Sequence, residues 1–182
     1  MLKRYYVSGL LVALLAMATI VAASAFGPRE AEASHASTPT CGGGTIVLNS
    51  AEEQLLKSHN DYRRSKGLPT LCVSPILTKA AQAHSQEMID RDYFDHRSAN
   101  GETMPARLKR FGYTPLPNRT WAVGENIGRG YSTSAMMAAW KRSSGHNANI
   151  LSTKFREVGI GVRVGNWNGR TQPLYTVDFG RR

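Results

Sequence analysis

"EVGIGVRVGNWNGRTQPLYTVDFG", residues 157–180, decides the fold class. Val158, Ile160, Val162 and Val164 recur at every second position, the period of a strand. The run after the break again alternates, with Leu174, Thr176 and Asp178 opposite Tyr175, Val177 and Phe179. Between the runs Asn168-Gly169 supplies the residue pair that a two-residue hairpin turn favours. Pro173 cannot donate to a ladder, which assigns it to the first residue of its strand or to an edge.

Upstream the period changes to that of helices. Ser50 followed three residues later by Glu53 reads as a capping box, and Leu55, Leu56, His59 and Tyr62 then share a face. Gly67 and Pro69 stop that helix. Ser74-Pro75 opens the next, with Leu77, Ala80, Ala81, His84 and Met88 at helical spacing and enough alanine to predict close packing. A shorter helix is predicted from Pro105 to Phe111, ended by Gly112, and a fourth over Ala135 to Lys141 with Met136, Met137 and Trp140 as its apolar bulk. Helices first and an antiparallel hairpin last describe an α+β domain. No internal repeat is visible.

The N-terminal residues are of another kind. Lys3 and Arg4 precede a 17-residue apolar run, Gly9–Ala25, that closes on Ala23-Ser24-Ala25. A basic start, an apolar middle and small residues at the end predict a secretory signal peptide over 1–25, with Ala31-Glu32-Ala33 as a second cleavage site. Residues 26–48, rich in Ala, Ser, Pro and Gly, read as a flexible linker containing His35, and the domain is expected over 49–182. Export makes the two cysteines, Cys41 and Cys72, candidates for a disulfide. A pair so bonded leaves no cysteine nucleophile. The formal net charge of +10 favours anionic surfaces such as cell-envelope polymers or phospholipid headgroups. The basic residues are scattered and not interleaved with aromatics, which argues against nucleic acid. "NRT", residues 118–120, has the form of a glycosylation sequon.

Among the histidines, His59 and His84 lie on apolar helical stripes and read as core residues. His96 follows "YFD" where a helix yields to the polar loop "HRSANGET", and His146 stands behind a glycine in "WKRSSGHNANIL". Element ends of this kind are where sites are built. Ser144 and His146 are two apart and do not face each other on a helix, and no G-x-S-x-G elbow is present, so a serine hydrolase is disfavoured. Glu125 in "WAVGENIGRG" needs a partner if buried. His96, Glu125 and His146 would make a two-histidine, one-carboxylate shell for Zn²⁺ with an open position for water, although no local ligand motif joins them.

"HNDYRRSKGLPTL", "FDH", "GENIG", "WKRSSGHNANIL", "VGIGV" and "YTVDFG" follow one another, from Ala51 to Gly180, in an order that resembles the CAP superfamily, the cysteine-rich secretory, antigen 5 and pathogenesis-related-1 proteins or SCP domains. The likeness is to the bacterial secreted branch. It implies an α-β-α sandwich with a central antiparallel sheet flanked by helices, and a cleft of two histidines and two acidic residues that binds a divalent metal in some members. His96, Glu125 and His146 match three of the four. The second glutamate of many eukaryotic members falls on Ser143 here, and Glu102 is the carboxylate available to compensate. Asn60, Arg63, Arg107 and Trp140 match positions with structural roles. The missing second glutamate and the absence of a nucleophile motif favour, over an enzyme, an extracellular binding module whose cleft takes a divalent metal or a lipid or envelope ligand. The competing readings are a metal-assisted hydrolase with Glu125 as base, and a structural envelope protein.

Overall fold

The structure is a computed structural model and describes residues 37–182. The expected signal peptide over 1–25, residues 26–36 of the expected linker and His35 lie outside the described residues. Two short strands, β1 (Ser37–Pro39) and β2 (Thr45–Val47), precede helix α1 (Ser50–Ser65); strand β3 (Cys72–Val73) leads into α2 (Pro75–Asp90). Helix α3 (Met104–Arg110), strand β4 (Ala122–Arg129) and helices α4 (Thr133–Arg142) and α5 (Ser144–Leu151) follow, and the chain ends in β5 (Glu157–Trp167) and β6 (Arg170–Arg181).

The segment 37–48 is thus part of the ordered domain and not of the linker. Its backbone pairs as a two-stranded ribbon, Thr40 bridges to Val73, and a disulfide joins Cys41 to Cys72. Covalent attachment orders a segment whose composition alone carries too little apolar area to order itself. The cap of α1 also stands one residue earlier than expected. Asn49, not Ser50, accepts from the Glu52 N–H, and the Glu52 carboxylate, not that of Glu53, accepts from the Asn49 N–H. Glu52 is buried and also accepts from the Val162 N–H and from Arg163, which fastens the start of α1 to β5.

The main sheet has the order β3-β5-β6-β4, antiparallel except for the short parallel β3–β5 pair. The hairpin turns at Asn168 and Gly169, both at positive φ, as the two-residue turn requires. Pro173 is the fourth residue of β6, in a stretch paired with β5 alone, one position before the β4 ladder begins at Leu174. Val158, Ile160, Val162, Tyr175, Val177 and Phe179 pack on one face against α1, α4 and α5, with Trp140 at the centre. Helix α2 covers the other face. The sheet is therefore the middle layer of three, as the α-β-α expectation required.

The glycines of "VGIGV" explain how closely that second layer sits. A Cβ on Gly159 would lie 2.0 Å from the Leu77 carbonyl carbon, and one on Gly161 would lie 2.3 Å from that of Ala81. Backbone meets backbone, so no side chain can swing away. Gly161→Ala is expected to lower the unfolding free energy by about 2 kcal/mol through overpacking, measured as a reduced urea midpoint. An unchanged midpoint would mean that α2 rides freely on the sheet.

Candidate functional site

Strand β4 is an edge of the sheet, and its alternation divides the site between the two outer layers. Successive side chains of a strand point to opposite faces. Asn126 turns toward α5, donating from Nδ2 to the His146 carbonyl and accepting from Asn149 at Oδ1. Glu125 turns the other way, toward the layer of α2 and α3. There its Oε1 lies 2.7 Å from His96 Nδ1, and its Oε2 accepts from the guanidinium of Arg107 on α3. Asn149 also donates to the Glu125 carbonyl, so both layers grip the same two residues. His96, Glu125, Asn126, Ser143, His146 and Asn149 line a cleft of about 300 Å³ at this edge.

Arg107 and Glu125 are both buried, whereas the His96 side chain is 55% exposed. The hydrogen bond that His96 donates to Glu125 raises the pKa of His96 above the ordinary imidazole value, against the opposing effect of partial burial. His146 moves the other way, lowered by burial and by the nearby His96. One imidazole of the cleft is thus biased toward the cation and the other toward the neutral base. Beneath them lies Asp178. It faces Glu125 in the β4–β6 register, is fully buried, and has no hydrogen-bond partner for either oxygen among the described residues. Burial first, and the Glu125 charge second, push its carboxyl well above the usual range, in the direction of the protonated acid.

Ser143 stands where the resemblance leads one to expect a second glutamate, and it lines the cleft. Its hydroxyl is 2.8 Å from His146 Nδ1, three residues on, so the serine that meets this histidine is Ser143 and not Ser144. Glu102 does not compensate. It is held in a two-pronged pair by Arg110, with contacts at 2.9 Å, and is not part of the cleft. His84 is satisfied within the core as expected, its Nε2 donating to the Asp95 carbonyl. Asn60, Arg63 and Trp140 do tie the frame: Asn60 donates to the Leu71 carbonyl, Arg63 to those of Pro69, Ile150 and Ser152, and Trp140 to that of Ile127. Arg107 belongs to the site itself.

The trio expected as metal ligands does not close around one point. Among the described residues no three His, Cys, Asp or Glu side chains are gathered as a metal would need. Glu125 has one oxygen on His96 and the other on Arg107, which makes it an orienting group rather than a ligand. Nδ1 is engaged by Glu125 in His96 and by Ser143 in His146, so Nε2 is the nitrogen that each imidazole would offer to a ligand or ion.

Residues 56–179 match the family described as CAP, the cysteine-rich secretory protein family. YkwD of Bacillus subtilis (strain 168) is 33% identical over 133 residues, covering 72% of this chain and 50% of that protein. The chain spans about half the length of this curated relative and 36% of another, the membrane protein YlbC of the same organism. The crystal structure of an extracellular protein containing an SCP domain from Bacillus anthracis is similar over 74% of this chain and 41% of its own, with 29% identity and a TM-score of 0.59. An outer surface protein from Borrelia burgdorferi has the same fold at 18% identity, with a TM-score of 0.63 over 75% of this chain and 96% of its own. With its three layers, its motifs in order and most of its length matched, the chain belongs to the CAP (cysteine-rich secretory protein) family.

Proposed function

We propose that this is a secreted, non-enzymatic binding domain whose cleft presents His96 and His146 to a divalent metal or to a polar group of an envelope ligand. The observation that carries the reading is the fixed Arg107–Glu125–His96 chain, which holds one half-exposed imidazole at a defined angle beside a second. Buried charge is retained at a cost, and here it serves to orient an accessible donor. Export is supported by the N-terminal sequence and by the extracellular description of the Bacillus anthracis relative. Among the described residues no helix is long and apolar enough to cross a membrane. The hydrolase reading has less support. Both oxygens of Glu125 are engaged, and Ser143 and His146 have no carboxylate on the ring's other nitrogen among the described residues.

Calorimetry with Zn²⁺ on residues 34–182 tests the reading. Binding is expected in the wild type, lost in the His96→Ala, His146→Ala double variant, and weakened between ~10- and ~100-fold in Glu125→Gln, which keeps the shape but not the charge behind His96. A double variant that binds as the wild type does, or a wild type that does not bind, removes the metal from the proposal.

A further inference from the structure

At the sheet edge opposite the cleft, where β3 is the outer strand, the Cys41–Cys72 disulfide lies in solvent. Both cysteines are exposed. Cys41 opens a turn so free of neighbours that a Cβ on Gly42, Gly43 or Gly44 would meet no other group within 4 Å. A sulfur so placed is open to attack by a thiolate from solution.

What the bond fastens has little else to hold it. No residue from Ser37 to Val47 is buried, and the first buried side chain is that of Leu48. Beside the bond stand the Thr40–Val73 bridge and a 2.9 Å hydrogen bond from the Cys41 N–H to the Val73 carbonyl. A two-stranded ribbon without an apolar face to bury does not keep its form in water unaided. Helix α1, which the bond also encloses, is held by other means. Glu52 accepts from the Val162 N–H, Arg63 donates to the Ile150 and Ser152 carbonyls, and Leu55 and His59 are buried. Asn49 caps that helix and donates to the Val162 carbonyl at 3.2 Å. Opening the bond therefore frees the chain as far as Leu48 and no further.

We propose that Cys41–Cys72 is a thiol-exchange site, at which a small-molecule thiol reversibly unclasps the ribbon while the domain stays folded. A thiolate attacks the Cys41 sulfur, the S–S bond breaks, and Cys72 leaves as a thiolate that takes a proton from water. The thiol so formed has an acceptor in place, the Arg156 carbonyl 3.4 Å from Sγ. A second thiolate then attacks the small-molecule sulfur of the mixed disulfide and releases Cys41. Two electrons have moved: two small thiols are oxidised to their disulfide and two cysteines are reduced. Unclasping shifts the start of the ordered domain from Ser37 to Leu48. The span available to the chain before the domain thereby grows by eleven residues, 37–47, or up to about 35 Å when extended. The cleft at the β4 edge takes no part, so this inference is independent of the metal reading.

The protein, isolated without reductant, is equilibrated with mixtures of reduced and oxidised glutathione. Free thiols are counted by alkylation, and amide hydrogen exchange is followed by mass spectrometry. The bond is expected to open at millimolar reduced glutathione and to close again as the oxidised form is added. On opening, the amides of residues 37–47 should exchange at least about tenfold faster, while those of β4, β5 and β6 keep their protection. The Cys41→Ser, Cys72→Ser double variant, which has no bond to open, should show the pattern of the reduced wild type in every mixture. A bond that resists millimolar glutathione and yields only to dithiothreitol is a permanent staple, and overturns the proposal. So does a ribbon that stays protected after reduction. Loss of protection across the whole sheet, in the reduced protein or in the double variant, overturns it as well, because the bond then holds the domain and not the ribbon.

Discussion

Arg107→Met lowers the unfolding free energy by about 3–5 kcal/mol, the cost of leaving one partner of a buried ion pair uncompensated. Methionine keeps the length and the apolar stem, so the loss reports the charge and not a cavity. Arg107 donates to the Glu125 carboxylate, to the His96 carbonyl at 3.1 Å and to the Ser98 hydroxyl at 3.3 Å. Without it, Glu125 sits buried beside Asp178 with only the half-exposed His96 for company. For a domain of this size the loss is a fall in melting temperature of roughly 10–15 °C. Arg110, three residues along the same helix, gives the comparison. Its pair with Glu102 is on the surface, with Arg110 58% exposed, and Arg110→Met is expected to cost less than about 1 kcal/mol. Equal losses in the two variants would show that the buried chain contributes nothing particular, and the oriented His96 would lose its support.

That contrast also marks what could be read from the sequence. The hairpin and the helices follow from period and turn residues, because each is a local pattern; the three-layer arrangement was legible only through the resemblance that the order of the motifs carries. The partners of Glu125 are not local: Arg107 lies 18 residues before it and His96 29. Arg107 was identifiable only through the resemblance, which cast it as structural, and its charge partner needed the fold. Asp178 escaped for a different reason. In an alternating strand it reads as an ordinary polar position facing water. Here α2 covers that face, so Thr176 and Asp178 are as fully buried as Val177 and Phe179. The usual inference from alternation to exposure fails when both faces of a sheet are layered. The pairing of β4 with β6 then sets one carboxyl against another. The glycines of "GENIG" mark a strand under close packing: a Cβ on Gly124 would lie 2.7 Å from the Phe155 ring and one on Gly128 2.0 Å from Met136 Sδ. The displaced cap has a simple cause: Asn49 and Ser50 are both good N-caps, Glu52 and Glu53 both good partners, and only the tie from Glu52 to β5 chooses between the registers.

Acid is expected to destabilise the domain through a histidine that takes no part in the site. His59 lies at the centre of the core, wholly buried between Trp140 and Phe179, its ring centroid 5.9 Å from each. Its Nδ1 is 2.8 Å from the Leu55 carbonyl, to which it donates, and Nε2 has no partner among the described residues. Burial lowers its pKa to about 4, with the positive charges of Lys141 and Arg63 acting in the same direction and the Leu55 hydrogen bond against them. The folded pKa lies below the unfolded value of 6.5, so the unfolded chain binds the proton more readily. Stability from this group is complete above pH 6.5 and is lost as the pH falls from there to about 4. The drop amounts to about 3 kcal/mol over that window. Urea unfolding of the wild type and His59→Phe at steps between pH 7.5 and 4 isolates it, because every other titrating group is common to both. Phe fills the same flat slot between the two rings and carries no proton. Its absolute stability matters less than its slope: the wild type should lose about 3 kcal/mol more than the variant between pH 6.5 and 4. Parallel curves would mean that the buried ring takes up its proton without unfolding, and that the packing of α1 against α4 is looser than the contacts of Trp140 and Phe179 require.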